Sequence, residues 1–326
     1  MMVSVAMCTY NGVKYLPQQL ESIANQTVPV DELVVCDDGS KDGTIDMIKS
    51  FAQSCSFPIT IHINTQNLGS TKNFEKCMSL CKGDIIFLCD QDDLWRANKV
   101  EKQLAYLSAN PEKDAVFSDG LMIGSDSKPV GGTMWEEIEF TKSMQDKWLS
   151  GKPHEILFNG FVVTGATLAI RKACLAALMP FPTHVPDLIH DAWIAIVLSL
   201  EEKIGFIADT LISYRRHESQ QVGFGSKIEY VKVTDRFTRA REEKLLPLKE
   251  KADKLNGLYL LLRAIPFVPR EKLIKLYLSQ KHFYRRASLP ENRFLRISPV
   301  FNQMIRGYYK FSSKDWWLPA IGDLIE

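Results

Sequence analysis

The stretch Gly83 to Trp95, GDIIFLCDQDDLW, constrains the fold more than any other part of the chain. Ile85 to Cys89 is apolar, too short for a helix of ordinary length, and reads as a buried strand. It stops abruptly at Asp90, Asp92 and Asp93, three carboxylates within four positions. Charges of one sign crowded at a strand end repel unless they face water or a cation, and hard divalent cations are held by carboxylates together with substrate phosphates. A solvated acidic turn is one reading of the cluster; a metal site is the other. Strands and helices alternate around it, and open α/β sheets bind ligands at the carboxyl ends of their strands, which favours the metal.

Taken in order, Val3 to Thr9 reads as a buried strand that ends in the polar turn Tyr10-Asn11-Gly12. Tyr15 to Gln26 has helical spacing, Glu32 to Cys36 is a second strand, and it too ends in acid at Asp37 and Asp38. Asp42 to Cys55 is a helix with Asp42 as its N-cap. Ile59 to Ile63 is a third strand and Thr71 to Cys81 a third helix. The sheet is therefore expected to be mostly parallel, with right-handed crossovers. In such a sheet Thr9-Tyr10-Asn11, Asp37/Asp38 and Asp90/Asp92/Asp93 share one edge and can converge on one ligand. Neither G-x-G-x-x-G nor G-x-x-x-x-G-K-[ST] occurs, so a metal must hold any phosphate.

Beyond Trp95, Lys99 to Ala109 reads as a helix, Ala115 to Asp119 as a strand and Leu121 to Gly132 as a hairpin or loop. Residues 133–158 read as mixed and partly helical. Phe161 to Ile170 reads as a strand in which Gly165 lets backbone approach a ligand closely. His190-Asp191-Ala192-Trp193 opens an apolar helix that runs through Leu200, with Asp191 placed as its N-cap or as a chemical group. Lys203 to Ile207 and Thr210 to Tyr214 read as closing strands, followed by Arg215-Arg216-His217.

The 326 residues can bury a large core, as one domain or as a domain plus an appendage. Seven cysteines fall without any C-x-x-C pair; Cys8, Cys36, Cys77, Cys81 and Cys89 read as small core residues in a reducing cytosol. Met1-Met2-Val3-Ser4 leads straight into a strand with no basic region, so no signal peptide is expected, and no apolar run approaches the ~18 residues of a membrane span. The net charge of +1 hides an asymmetry: residues 1–225 hold 19 Lys and Arg against 28 Asp and Glu, whereas residues 226–326 hold 21 against 11, balances of −9 and +10. An acidic body with a basic tail implies chemistry in the first part and an anionic partner for the second.

In order and spacing, Thr9-Tyr10-Asn11-Gly12, Asp37-Asp38-Gly39-Ser40, Asn67-Leu68-Gly69, Asp90-Gln91-Asp92-Asp93 and His190-Asp191-Ala192-Trp193 resemble the family 2 glycosyltransferases of the GT-A fold, over residues 3–220. The resemblance implies an α/β fold, inverting transfer of a sugar from a nucleotide diphosphate donor to a saccharide hydroxyl, and Mn2+ or Mg2+ on the diphosphate. By that likeness Thr9, Tyr10, Asn11, Asp38 and Asp37 border the nucleotide, with Lys72 near it. Asp92 is the metal ligand, Asp90 lies on the ribose or the metal, Asp93 is the second choice of ligand, and His217 completes the site. Asp191 matches the catalytic base, which the chemistry requires because the acceptor hydroxyl must lose its proton as it attacks. Trp193 and Trp95 stack on sugar faces or belong to the core. Lys72 is equally a solvated helix charge, and a lone His is more often packed than a ligand. The likeness leans toward rhamnosyltransferases of bacterial surface polysaccharide assembly and a dTDP- or UDP-sugar. The enzyme alternative is a sugar nucleotidyltransferase, which would want a Gly-rich basic loop after the first strand. The other is a non-catalytic membrane-associated scaffold.

Residues 1–225 are thus expected to be the catalytic domain and 226–326 a basic, aromatic-rich helical region. In it Lys232 to Ala264 reads as two helices, Arg270 to Ala287 as a third and Pro299 to Lys310 as a fourth. Tyr308-Tyr309-Lys310-Phe311 and Trp316-Trp317-Leu318-Pro319 set aromatics beside cations, the composition of an interfacial anchor. An anionic membrane surface is the expected partner and a polyprenyl-diphosphate-linked saccharide the expected acceptor, which locates the protein in the cytoplasm on the inner face of the membrane. A packing appendage is the competing reading; nucleic acid ranks last.

Overall fold

The computed structural model describes residues 1–218, 240–313 and 315–325. The chain divides into two compact units, residues 1–224 and 225–326. The boundary expected at 225/226 lies outside the described residues, as does the start of the Lys232 to Ala264 stretch expected to hold two helices, whose described part is one helix, Arg241–Ala264.

The first unit is built on a nine-stranded sheet. Its first half alternates as the sequence implies: β1 (Val3–Thr9), α1 (Leu16–Ala24), β2 (Glu32–Asp37), α2 (Thr44–Ala52), β3 (Ile59–Ile63), α3 (Gly69–Leu80) and β4 (Ile85–Cys89). β1 is almost wholly buried and β2 and β4 are wholly so, because helices cover both faces of a parallel sheet. β1 pairs in parallel with both β2 and β4, and β2 with β3. α2 starts one residue later than expected, with Gly43 at the N-cap; the Asp42 carboxylate instead accepts the Thr44 N–H at 3.0 Å.

The second half is mixed, which corrects the expectation of a mostly parallel sheet. It comprises β5 (Leu94–Trp95), α4 (Lys99–Ala109), β6 (Ala115–Ile123), β7 (Pro129–Thr133), α5 (Lys142–Leu149), β8 (Ala169–Arg171), α6 (His190–Leu200) and β9 (Ile204–Arg215). Strand order is β3-β2-β1-β4-β8-β6-β9-β5, with β7 on β6. β6 and β7 form the expected hairpin. The two closing strands are one long strand, β9, parallel to β6 and bent by register shifts near Asp119. Residues 133–158 supply short helices whose aromatics fill a cluster: Trp135, Phe140 and Trp148 meet Phe117 and Phe206 at centroid distances of 5.2–6.3 Å. The Trp148 indole N–H donates to the Ile204 carbonyl at 3.1 Å, so the cluster holds the start of β9.

The strand expected from Phe161 to Ile170 is not formed. Gly165–Thr167 makes a 3-10 turn and only Ala169–Arg171 is strand. The apolar run is buried by a turn as well as it would be by a strand, and periodicity alone does not separate the two.

The described part of the second unit is helical: α7 (Arg241–Ala264), α8 (Ile274–Ala287), α9 (Arg293–Ile305) and α10 (Trp317–Ile325). α9 starts six residues before the expected Pro299, because the Asn292 side chain caps it by accepting the Phe294 N–H at 3.0 Å. Leu289, Val300, Tyr309 and Ala320 form a core cluster. Beside them the buried Asp323 carboxylate accepts from Arg286 Nε at 2.7 Å and from the Tyr309 hydroxyl at 2.7 Å, with Lys244 Nζ at 3.4 Å. Among the described residues no helix is long and apolar enough to cross a membrane.

Candidate functional site

Parallel pairing sets Thr9 opposite Asp37 and Met7 opposite Cys89, so the ends of β1, β2 and β4 deliver their polar residues to one edge. β9 reaches the same edge. β8 is antiparallel to β4 and β6 antiparallel to β8, so two reversals restore the direction that β9 then shares with β6. β5, directly after the acidic cluster, pairs Leu94 with Ser213 and Trp95 with Ile212. This ties the acidic turn to the end of β9 and brings His217 to Asp92 across 125 residues of sequence, with Nε2 2.8 Å from Oδ2.

Arg215, wholly buried, knots this corner. Its backbone N–H donates to Asp93 Oδ1 at 2.9 Å, its Nε to the Asp92 carbonyl at 2.7 Å, and its guanidinium to Ser127 and Gln18 at 2.9 Å each. The guanidinium carbon also lies 4.6 Å from the centroid of the Tyr15 ring, which meets the His217 ring at 4.8 Å as well.

A cavity of about 470 Å3 opens at this edge. Its walls include Thr9, Tyr10, Asn11, Asp38, Asp90, Asp92, Gly165, Asp191 and His217, all proposed from the sequence. Asp38 accepts from Asn64 Nδ2 at 2.8 Å and from the Leu68 and Gly69 N–H groups at 2.7 and 2.9 Å, and so anchors the Asn67-Leu68-Gly69 loop as well as facing the cavity. Burial pushes the Asp90 carboxyl up to about 7, and the charges of Asp92 and Asp191 add to it.

Asp191 lies in the first turn of α6 and is not its N-cap, which is Ile189. Its Oδ1 accepts the Ala192 N–H at 2.6 Å and its Oδ2 the Gly165 N–H at 2.8 Å. The break in the expected strand therefore has a use: it turns a backbone N–H onto this carboxylate. Gly165 is needed for closeness, since a Cβ there would lie 2.8 Å from His190 Nε2.

Other residues proposed from the sequence lie elsewhere. Asp37 is wholly buried and accepts from Thr9 Oγ1 at 2.8 Å and from Ser40 N and Oγ at 2.8 and 2.5 Å, so it closes its own turn. Asp93 is buried away from the cavity wall against Arg215, and burial, with Asp92 and Asp90 behind it, holds its carboxyl well above the usual range. Lys72 pairs with Glu75 at 3.0 Å and donates to the Phe181 carbonyl at 2.9 Å. Trp193 is core, its indole N–H on the Leu178 carbonyl at 2.8 Å, and Trp95 is core beside Phe87 at 5.8 Å. Neither tryptophan lines the cavity.

The sequence reading missed His190. Its ring lines the cavity, stacks on Phe74 at 4.2 Å, and neither buried nitrogen has a hydrogen-bond partner. Burial lowers its pKa, so it stands neutral with one donor and one acceptor. A buried polar group left unsatisfied costs about 1–3 kcal/mol, which a ligand reverses. The only sequence signal was its place beside Asp191. Gln91 was also missed; it clamps the Tyr10 backbone from both sides, accepting its N–H at 2.9 Å and donating to its carbonyl at 3.0 Å.

Among the described residues, no group of three or more His, Cys, Asp and Glu forms a ready metal cage. The donor set is two groups in contact, Asp92 and His217, with Asp90 on the same wall. A carboxylate with open positions fits a cation that arrives with substrate phosphates, the usual habit of Mg2+, and carboxylate oxygen also suits Mn2+, while the imidazole adds a borderline nitrogen ligand.

The family profile described as Glycosyl transferase family 2 matches residues 4–167. The chain is 38% identical over 105 residues to the putative glycosyltransferase EpsE of Bacillus subtilis, covering 32% of this chain and 38% of that protein. It is 32% identical over 114 residues to the abequosyltransferase RfbV of Salmonella typhimurium, 34% of each. These alignments span little more than a third of either relative. Among solved structures, S. aureus TarS 1–349 in complex with UDP-GlcNAc superposes with a TM-score of 0.54 at 16% identity, covering 100% of this chain and 90% of that one. The mannosyltransferase PcManGT from Pyrobaculum calidifontis, in complex with GDP-Man and Mn2+, gives 0.52 at 16% identity over 99% and 86%. At such identity the likeness concerns the fold, which is of the GT-A type.

Proposed function

The chain belongs to glycosyl transferase family 2, and on that premise we propose that it transfers a sugar, with inversion, from a dTDP- or UDP-sugar to a hydroxyl of a saccharide acceptor during surface polysaccharide synthesis. The observation that carries this reading is the convergence, on one cavity, of the Asp92–His217 pair and the Asp191 carboxylate. RfbV, named an abequosyltransferase, supports transfer of a sugar; PcManGT, solved with GDP-Man and Mn2+, supports the metal.

Thr9, Tyr10, Asn11 and Asp38 line the base and ribose end of the cavity. Asp92 and His217 would hold a divalent cation, with Asp90 beside them. Such a cation would supply charge compensation for the departing diphosphate, in place of a general acid. Asp191 takes the proton from the attacking hydroxyl. The Gly165 and Ala192 N–H groups fix its two oxygens at 2.8 and 2.6 Å and leave each oxygen a further lone pair for that proton. His190, neutral and without a protein partner, contacts sugar hydroxyls. The acceptor is carried on a polyprenyl diphosphate, and the protein works at the inner face of the cell membrane.

A thermal-shift screen of UDP, dTDP and their sugar conjugates, each with Mn2+, Mg2+ or chelator, tests the reading. The expected result is a cation-dependent rise in Tm with one nucleotide series. No shift with any nucleotide in the presence of either ion would overturn it.

A further inference from the structure

α9 carries apolar side chains both toward the core and toward solvent, on adjoining faces. The inner face packs Val300 and Met304 into the core cluster of the second unit. On the outer face Phe294 is 83% exposed, Ile297 55%, Phe301 59% and Ile305 73%. Their spacing of three, four and four residues keeps them in one stripe along the helix, about 16 Å long at 1.5 Å per residue. Single exposed apolar residues are ordinary on a protein surface, whereas a continuous stripe of large ones marks an interaction site.

We propose that this outer face of α9 is a bilayer-docking surface, committed to anionic phospholipid. The proposal rests on the membrane partner in the reading above and gives that partner a place in the fold. Charge decides the occupant. Arg293 and Arg306, both exposed, bracket the stripe, and Lys310 follows within the next turn. Residues 226–326 carry 21 Lys and Arg against 11 Asp and Glu. A second copy of this chain would bring the same positive charge against itself, whereas an anionic leaflet attracts each Lys or Arg near its surface by about 1 kcal/mol. The residue types also fit: Phe and Ile for the acyl boundary, Arg at both ends for headgroups, and exposed Trp316 and Trp317 in the same unit, aromatics that favour the interfacial layer. A helix of 13 residues is too short to span, so it lies in the plane of the interface.

The test is flotation of the full chain with vesicles of one part phosphatidylglycerol to three parts phosphatidylcholine, and with phosphatidylcholine alone, at low and physiological salt. The variants are Phe294→Ser with Phe301→Ser, and Arg293→Gln with Arg306→Gln. These side chains are exposed, so both variants should keep the wild-type circular dichroism and the same Tm shift with UDP or dTDP plus Mn2+. The expected result is binding to the anionic vesicles alone, weakened roughly tenfold or more by the double Phe variant, as follows from the transfer free energy of buried aromatic side chains, and made less salt-sensitive by the Arg variant. Equal binding by wild type and the Phe variant, or no binding by wild type, would overturn the proposal. So would a wild-type dimer in light scattering that the Phe variant turns into a monomer, since a second copy would then cover the face. The nucleotide shift is read on the same samples, so a failure of the docking surface is separable from a failure of the transferase reading.

Discussion

Replacing Asp191 by Asn probes chemistry and structure at once. The carboxylate accepts two backbone N–H groups, Ala192 on Oδ1 at 2.6 Å and Gly165 on Oδ2 at 2.8 Å. An amide has one acceptor and one donor end, so in either orientation one N–H meets an NH2 group. A buried donor left unsatisfied costs about 1–3 kcal/mol, and loss of a negative charge from the first turn of α6 adds about 0.3–1 kcal/mol. For a unit of this size each kcal/mol moves Tm by about 2–4 °C, so Asp191→Asn should melt roughly 3–15 °C below wild type. Loss of the general base should lower transfer by about 10²–10⁴-fold. In the proposed reading the nucleotide diphosphate contacts other residues, so its Tm shift with Mn2+ should persist. The assays are differential scanning fluorimetry with and without nucleotide, and product release with the donor that the nucleotide screen identifies. A variant with wild-type Tm and transfer within tenfold of wild type would refute both the two-acceptor geometry and the base.

Three further outcomes are expected. His217→Ala and Asp92→Asn should each weaken the Mn2+-dependent part of UDP or dTDP binding by tenfold or more in calorimetry while leaving binding in chelator unchanged; equal effects with and without metal would count against the pair as ligands. Gly165→Ala places a Cβ 2.8 Å from His190 Nε2, and the ring cannot retreat easily because Phe74 stacks on it at 4.2 Å; kcat should fall by about 10–100-fold from misplacement of the His190-Asp191 turn, at a stability cost of about 1–3 kcal/mol. In the second unit, burial pushes the His282 imidazole down from 6.5 to about 4. The unfolded chain then binds a proton below pH 6.5 that the folded unit refuses until about pH 4, so stability is whole above pH 6.5 and falls on acidification through that window by on the order of 3 kcal/mol. Urea unfolding at pH 7.5 and 5.0 should show the loss, and His282→Gln should reduce it; an unchanged slope in the variant would refute the assignment.

The first half of the sheet was legible because each strand is a short apolar run ending in polar residues, and period and punctuation agree there. Asp37, Asp38 and Asp90 illustrate the limit. All three stand at strand ends, but sequence does not say which way a carboxylate there will face: Asp37 folds back on Thr9 and Ser40, while Asp38 and Asp90 line the cavity. The aromatics misled for a similar reason. Trp95 and Trp193 flank the acidic motifs in sequence, yet a large ring gains more from burial than from a place on a cavity wall, and both are core. The Phe161 to Ile170 run was misread because hydrophobicity reports burial and not backbone shape.

By itself the sequence determined that this chain folds as alternating strand and helix, that its acidic strand ends share an edge, and that its basic residues gather behind residue 225. Those properties are local or additive, set by period, propensity and charge. Tertiary structure alone decided that His217 meets Asp92 across 125 positions, that the Gly165 N–H holds Asp191, that His190 stands without a partner, and that the α9 stripe is left outside the core. Each of these depends on where a reversal of strand direction or a helix face points in space, and that is fixed by long-range packing rather than by neighbours in the chain.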